Sequence, residues 1–169
     1  MESAYLRHIP QEDIYLFNTG NAKKAWLCFG CRYIPELKAH RFIVWAPNAQ
    51  RVSLVGSFNG WDRDAMPMEK IEGGVWVCFI EGIENGALYK YCVTGADGQQ
   101  ILKSDPFAAY SQTGSETASI VWNGGDFRWG DGEYMQRRAK RDFMTQPMSI
   151  YELHLGSWKN MPGERPMYR

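Results

Sequence analysis

Between about residue 39 and residue 122 the chain alternates short apolar, β-branched and aromatic runs with polar turn dipeptides. Arg41-Phe-Ile-Val-Trp-Ala46 is the first run and closes on Pro47-Asn48; Arg51-Val-Ser-Leu-Val-Gly56 is the second. Val75-Trp-Val-Cys-Phe-Ile80, Leu88-Tyr-Lys-Tyr-Cys-Val-Thr94, Gln100-Ile-Leu102 and Thr117-Ala-Ser-Ile-Val121 follow, separated by Gly73-Gly74, Asn85-Gly86 and Asp97-Gly98. Such dipeptides supply the positive φ that tight hairpins require. Short strands at this spacing predict an all-β fold, an antiparallel sandwich rather than a βαβ arrangement. No amphipathic helix is expected in this region. Tyr134, Arg137, Arg138 and Arg141 do fall at helical spacing further on, and predict a solvated connector within residues 131–142.

Alternation also assigns faces, because successive side chains of a strand point to opposite sides. Tyr89, Tyr91 and Val93 share one side of their strand, and Leu88, Lys90 and Cys92 the other. With the aromatic side turned to the core, Lys90 points outward from mid-strand. Both sides of residues 75–80 are apolar, which makes Trp76 a candidate cover for the outer face. The turn Ser57-Phe-Asn-Gly-Trp-Asp62 sets a large aromatic in a loop. Such a ring is either a binding platform, since loops on rigid scaffolds carry function, or a cap folded back over one end of the sandwich. The pattern leaves both open.

Charge narrows the partners. The 19 basic and 19 acidic residues balance, so nothing in the charge points to nucleic acid or an anionic membrane surface. The run Arg137-Arg-Ala-Lys-Arg141 reads as a solvated face. No apolar run has the length of a membrane span, and the first residues lack the basic-then-apolar order of a signal peptide. Cys28-Phe-Gly-Cys31 has metal or redox spacing, but no second Cys-x-x-Cys and no histidine at ligand spacing accompany it. The four cysteines are expected to be reduced cytosolic thiols, with Cys78 and Cys92 in neighbouring strands as small hydrophobes. No metal or cofactor is implied.

Several motifs then follow one another in order: Val44-Trp-Ala-Pro-Asn-Ala49, Val55-Gly-Ser-Phe-Asn-Gly-Trp-Asp62, Leu88-Tyr-Lys-Tyr91, Lys103-Ser-Asp-Pro106, Glu116-Thr-Ala-Ser119 and Pro147-Met-Ser-Ile-Tyr-Glu-Leu-His-Leu-Gly-Ser-Trp158. Together with Asp13-Ile-Tyr-Leu-Phe17 and Gly20 they closely resemble the N-terminal part of bacterial glycogen branching enzymes. The resemblance implies four segments. Residues 1–34 are an N-terminal extension, and residues 35–122 an immunoglobulin-like β-sandwich carbohydrate-binding module. Residues 123–146 are a linker, and residues 147–169 the truncated start of a catalytic (β/α)₈ barrel, with a buried strand at residues 150–155. Relatives in cytoplasmic glycogen biosynthesis transfer α-1,4-linked glucan to form α-1,6 branches. That retaining chemistry needs two carboxyl groups about 5 Å apart, contributed by later barrel strands. No catalytic residue is therefore assigned here.

For the module, the resemblance implies weak α-glucan binding through Trp61 and Lys90, with Asn59 in the same turn motif. Trp61 matches a sugar-stacking tryptophan and Lys90 a hydroxyl-contacting lysine in related kinase β-subunit modules. The second stacking ring of those modules is replaced by Gln99-Gln100, and the loop of hydroxyl contacts downstream does not match. A stand-alone glycogen-binding or regulatory module is the alternative. The strand-like apolar stretch of residues 147–158 is expected to meet the rest of a barrel, or to associate with another copy.

Overall fold

The computed structural model describes residues 3–124, 128–154 and 158 of the 169-residue chain, which fall into two units, residues 1–125 and residues 126–169. The first unit is a two-sheet antiparallel sandwich. One sheet has the order β1 (Gly30–Ile34), β2 (Ala39–Trp45), β5 (Val75–Glu81) and β4 (Glu69–Ile71). The other runs β3 (Arg51–Gly56), β6 (Leu88–Thr94), β9 (Ser119–Ile120) and β8 (Tyr110–Ser111), with β7 (Gln100–Lys103) also paired to β6. The second edge of β6 is thus shared, β9 taking residues 88 and 89 and β7 residues 91 to 94. The far edge of β3 is closed by a short stretch of chain: Leu54 donates to the Met66 carbonyl, and Met68 to that of Val52.

The register explains why alternating residues pack as they do. Phe42 lies opposite Cys78 and Val44 opposite Trp76, and all four face the second sheet. Val52, Leu54, Tyr89 and Tyr91 fill that same inter-sheet core from the other side. Trp76 is therefore an inward residue, not the outer cover expected of it; its indole N–H donates to the Ala46 carbonyl at 2.9 Å. The odd-numbered positions Ile43, Val75 and Val77 face away from the second sheet and are nonetheless fully buried.

Residues ahead of the sandwich provide their cover. Three short helices, α1 (Ser3–Leu6), α2 (Gln11–Asn18) and α3 (Ala25–Cys28), precede β1. Glu12 and Asp13 sit in the first turn of α2, where negative charge suits the helix N-terminus. Ile14 and Phe17, three apart, give α2 one apolar face, and together with Ile9 and Phe29 they pack on Ile43, Val75 and Val77. The buried Arg41 side chain fastens this layer by donating to the carbonyls of His8 at 2.7 Å and Cys28 at 3.0 Å. The segment read from sequence as an extension thus supplies one strand and an entire apolar layer.

One other expectation changes. Cys78 and Cys92 lie on consecutive strands of the chain but in different sheets, β5 and β6. Cys28 faces the helical layer while Cys31 faces the inter-sheet core, so the Cys-x-x-Cys pair is divided by the sheet. Burial pushes the two thiols up, to about 11 and about 12 respectively.

In the second unit α4 (Gly132–Ala139) is a helix with no buried residue. Of the buried strand expected at residues 150–155, residues 150–154 are described. They carry no ladder partner among the described residues, and Ile150 is 86% exposed. Residue 155 lies outside the described residues.

Candidate functional site

The turn after β3 is built to present Trp61. Gly60 takes the left-handed conformation at φ 61°, which only glycine adopts freely, and Trp61 follows it at φ 62°. A bulky residue in this region is a genuine outlier and stores of order 1 kcal/mol or more of strain. The turn over-determines it through Asn59. The Asn59 Oδ1 accepts the Gly56 N–H at 2.9 Å, and its Nδ2 donates to the Leu54 carbonyl at 3.1 Å and the Asp62 carbonyl at 3.4 Å. The Trp61 N–H donates to the Gly56 carbonyl at 3.0 Å. Asn59 therefore holds the turn, with both ends of its amide engaged there. The Trp61 side chain remains 37% exposed.

Beyond Trp61 the loop is tied down on both sides. Asp64 pairs with Arg51 of β3 at 2.7 Å, and the Ser53 hydroxyl donates to the Arg63 carbonyl. The Arg63 guanidinium reaches Gln100 of β7 at 3.3 Å. One of the two glutamines that stand where a second ring was sought is thus engaged by the loop carrying Trp61.

Lys90 occupies the outer face of β6, opposite Val55 and away from the buried rings of Tyr89 and Tyr91. It sits at the junction between β9 and β7, and its ammonium donates to the Thr117 hydroxyl at 2.7 Å. Two further N–H donors of that ammonium remain for another acceptor. The sequence reading missed Thr117, because the pair is 27 residues apart and the loop containing it did not match the related modules. The motif Glu116-Thr-Ala-Ser119 was the available signal. A polar-rimmed cleft of about 550 Å³, lined by residues including Ser57, Phe58, Glu84 and Asn85, opens beside the turn.

Inside the sandwich, beneath these groups, lies a buried polar cluster. The Asp105 Oδ2 accepts the hydroxyls of Tyr89 at 2.6 Å and Tyr91 at 3.2 Å, while its Oδ1 accepts the Phe107 N–H at 2.8 Å. The Ser119 hydroxyl accepts the Asp105 N–H at 2.8 Å. Burial raises the Asp105 carboxyl above its usual range, against the lowering effect of these hydrogen bonds. The cluster is closed to solvent and fixes β6, β7 and β9 around Lys90. Among the described residues no group of three His, Cys, Asp or Glu side chains could hold a metal ion, and no helix is long and apolar enough to cross a membrane.

Trp61 is thus exposed in the turn that ends β3, and Lys90 projects from the outer face of the neighbouring strand β6. Residues 28–108 match the family Carbohydrate-binding module 48 (Isoamylase N-terminal domain). This region is a family 48 carbohydrate-binding module. The module and its flanks are 44% identical over 161 residues to the 1,4-alpha-glucan branching enzyme GlgB of Rubrobacter xylanophilus, covering 93% of this chain and 22% of that protein. The GlgB of Geobacillus stearothermophilus is 43% identical over 150 residues, with 87% of this chain and 24% of that protein covered. The chain thus spans about a quarter of the length of the curated relatives it matches, and corresponds to their N-terminal region. In fold, the module resembles part of the type I pullulanase of Bacillus subtilis, a structure solved with maltose, at a TM-score of 0.51 and 22% identity over 60% of this chain and 14% of that one.

Proposed function

We propose that this chain is the glucan-contacting, accessory N-terminal part of a cytoplasmic 1,4-α-glucan branching enzyme, in which the module positions an α-glucan chain and later elements perform the retaining transfer. The observation that carries the reading is the presentation of Trp61 in a strained turn at the end of β3, next to the strand from which Lys90 projects. Trp61 supplies the stacking face, Lys90 and Thr117 contact hydroxyls, and Asn59 positions the ring. One ring and few donors give weak binding, because ordering the sugar and the side chains consumes much of what the contacts contribute.

The test separates platform from cap with a single variant. Trp61→Gly removes the ring and relieves the positive φ at once. A platform role predicts that saturable maltoheptaose binding, read by isothermal calorimetry at millimolar sugar, disappears while the urea midpoint holds or rises. A midpoint that falls together with unaltered sugar binding would show that the ring only caps the sandwich.

We further propose that residues 147–158 pack in the parent enzyme against the remainder of a barrel, and that in this chain they associate with a second copy. Ile150, Tyr151 and Met148 are largely exposed, and exposed apolar stretches of this kind mark interaction sites. Sedimentation velocity should show concentration-dependent self-association that Ile150→Asp abolishes. A single monomeric species over the whole concentration range would refute this.

A further inference from the structure

We propose that the outer face of the sheet containing β6 carries a second α-glucan contact, formed by Tyr110 and Trp122, so that a long chain crosses the strands from Trp61 past Lys90 to this ring pair. The inference rests on the glucan-binding reading of the module and extends it to residues outside the matched turn and lysine.

The register places the ring pair on the same face as Lys90. Leu88 lies opposite Ile120, and Ile120 opposite Tyr110, so these three side chains form a row across β6, β9 and β8. Directly opposed residues share a face, and Leu88 shares its face with Lys90 two residues on. Trp122, two residues beyond Ile120, meets Tyr110 with ring centroids 5.6 Å apart and planes tilted by 45°. Neither ring is packed away: Tyr110 is 54% and Trp122 43% exposed. From β3 to β8 the distance is three strand spacings, roughly 14 Å.

Polar groups around the rings fit a polyhydroxyl ligand. A cleft of about 320 Å³ is bounded by Leu88, Tyr110, Gln112, Thr113, Glu116 and Ile120. The Gln112 Oε1 accepts the Ala118 N–H at 3.1 Å, which fixes the side-chain amide and leaves its two N–H donors directed elsewhere. Thr113 adds a hydroxyl and Glu116 a carboxylate, a strong acceptor for sugar hydroxyls. Glu116 adjoins Thr117, the partner of Lys90, so the polar rim is continuous with the first contact. Sugar hydroxyls offer both donors and acceptors, which suits a rim that combines amide N–H groups, a hydroxyl and a carboxylate.

Calorimetric titration of the whole chain with maltotriose and with maltoheptaose tests the proposal. Only the longer sugar reaches both contacts, so wild type should prefer it, and Tyr110→Ala should reduce that preference about fivefold, the size of one lost ring contact. Trp122→Phe, which keeps a ring if Trp122→Ala fails to fold, should retain most of it. An unchanged preference in both Tyr110→Ala and Trp122→Ala, with Trp61→Gly abolishing binding, would overturn the second contact and leave the first standing. No saturable binding of either sugar to wild type would refute both.

Discussion

Asp105→Ala is expected to lower the unfolding free energy by about 3 kcal/mol, read as a fall in the urea midpoint at unchanged slope. The carboxylate is the shared acceptor of two buried tyrosine hydroxyls and a backbone N–H. Its removal strands three donors at once, and each buried unpaired donor costs about 1–3 kcal/mol. Recovery of the carboxylate's own desolvation offsets part of this loss, since burying an ionised group is itself unfavourable. The balance remains a large share of a total that is typically about 5–15 kcal/mol. Asp105→Asn keeps one acceptor oxygen and should cost less than half as much. A midpoint within error of wild type for Asp105→Ala would mean that the tyrosines find other partners.

The same residue sets a pH dependence. Burial raises the folded-state carboxyl above its unfolded value of about 3.9, so the folded chain holds the proton more tightly than the unfolded one. The stability this contributes is fully present below the unfolded value and is lost as pH rises through the folded one. The advantage of wild type over Asp105→Asn should therefore widen on acidification from neutral pH towards the carboxylate range. A gap that narrows on acidification would show that the hydrogen bonds from Tyr89, Phe107 and Tyr91 outweigh burial.

The long strands were legible because alternation survives in them: Tyr89 and Tyr91 are buried, and Lys90 between them projects outward. β8 and β4 are two and three residues long, too short for periodicity to register. β1 was overlooked for a related reason, since Gly-Cys-Arg-Tyr-Ile mixes apolar and charged residues and runs into Pro35. The turn carrying Trp61 could be recognised from its motif, yet the motif did not say what Asn59 does. Its amide could serve a sugar or the backbone, and the three hydrogen bonds it makes within the turn are not legible in the motif. Lys90 and Thr117, or Tyr110 and Trp122, come together through sheet pairing, which one sequence does not encode locally. Trp76 was misplaced because apolar residues on both sides of its strand do not tell which side meets the second sheet; the register puts Trp76 there with Phe42 and Val44. Apolar residues on both sides of a strand call for cover on both.

That second cover makes the remaining prediction. A chain beginning at residue 25, three residues ahead of the family-matched region, should lose roughly 5 kcal/mol or more and aggregate on concentration. It lacks Ile9, Ile14 and Phe17, the first two of them buried, and burial of each large apolar side chain contributes about 1.5–3 kcal/mol. It also bares Phe29, Ile43, Val75 and Val77 on the outer face of the β2–β5 pair, and removes the His8 carbonyl that accepts from Arg41. The buried guanidinium would keep Cys28 as its one remaining carbonyl partner, and a half-satisfied buried charge is worse than none. Ile14→Asp in the full chain probes the same layer without truncation, and should lower the midpoint in the same direction. If the shortened chain instead unfolded at the full-length midpoint and stayed monodisperse, the two sheets would be sufficient alone, and the helical layer would serve the parent enzyme and not the module's own fold.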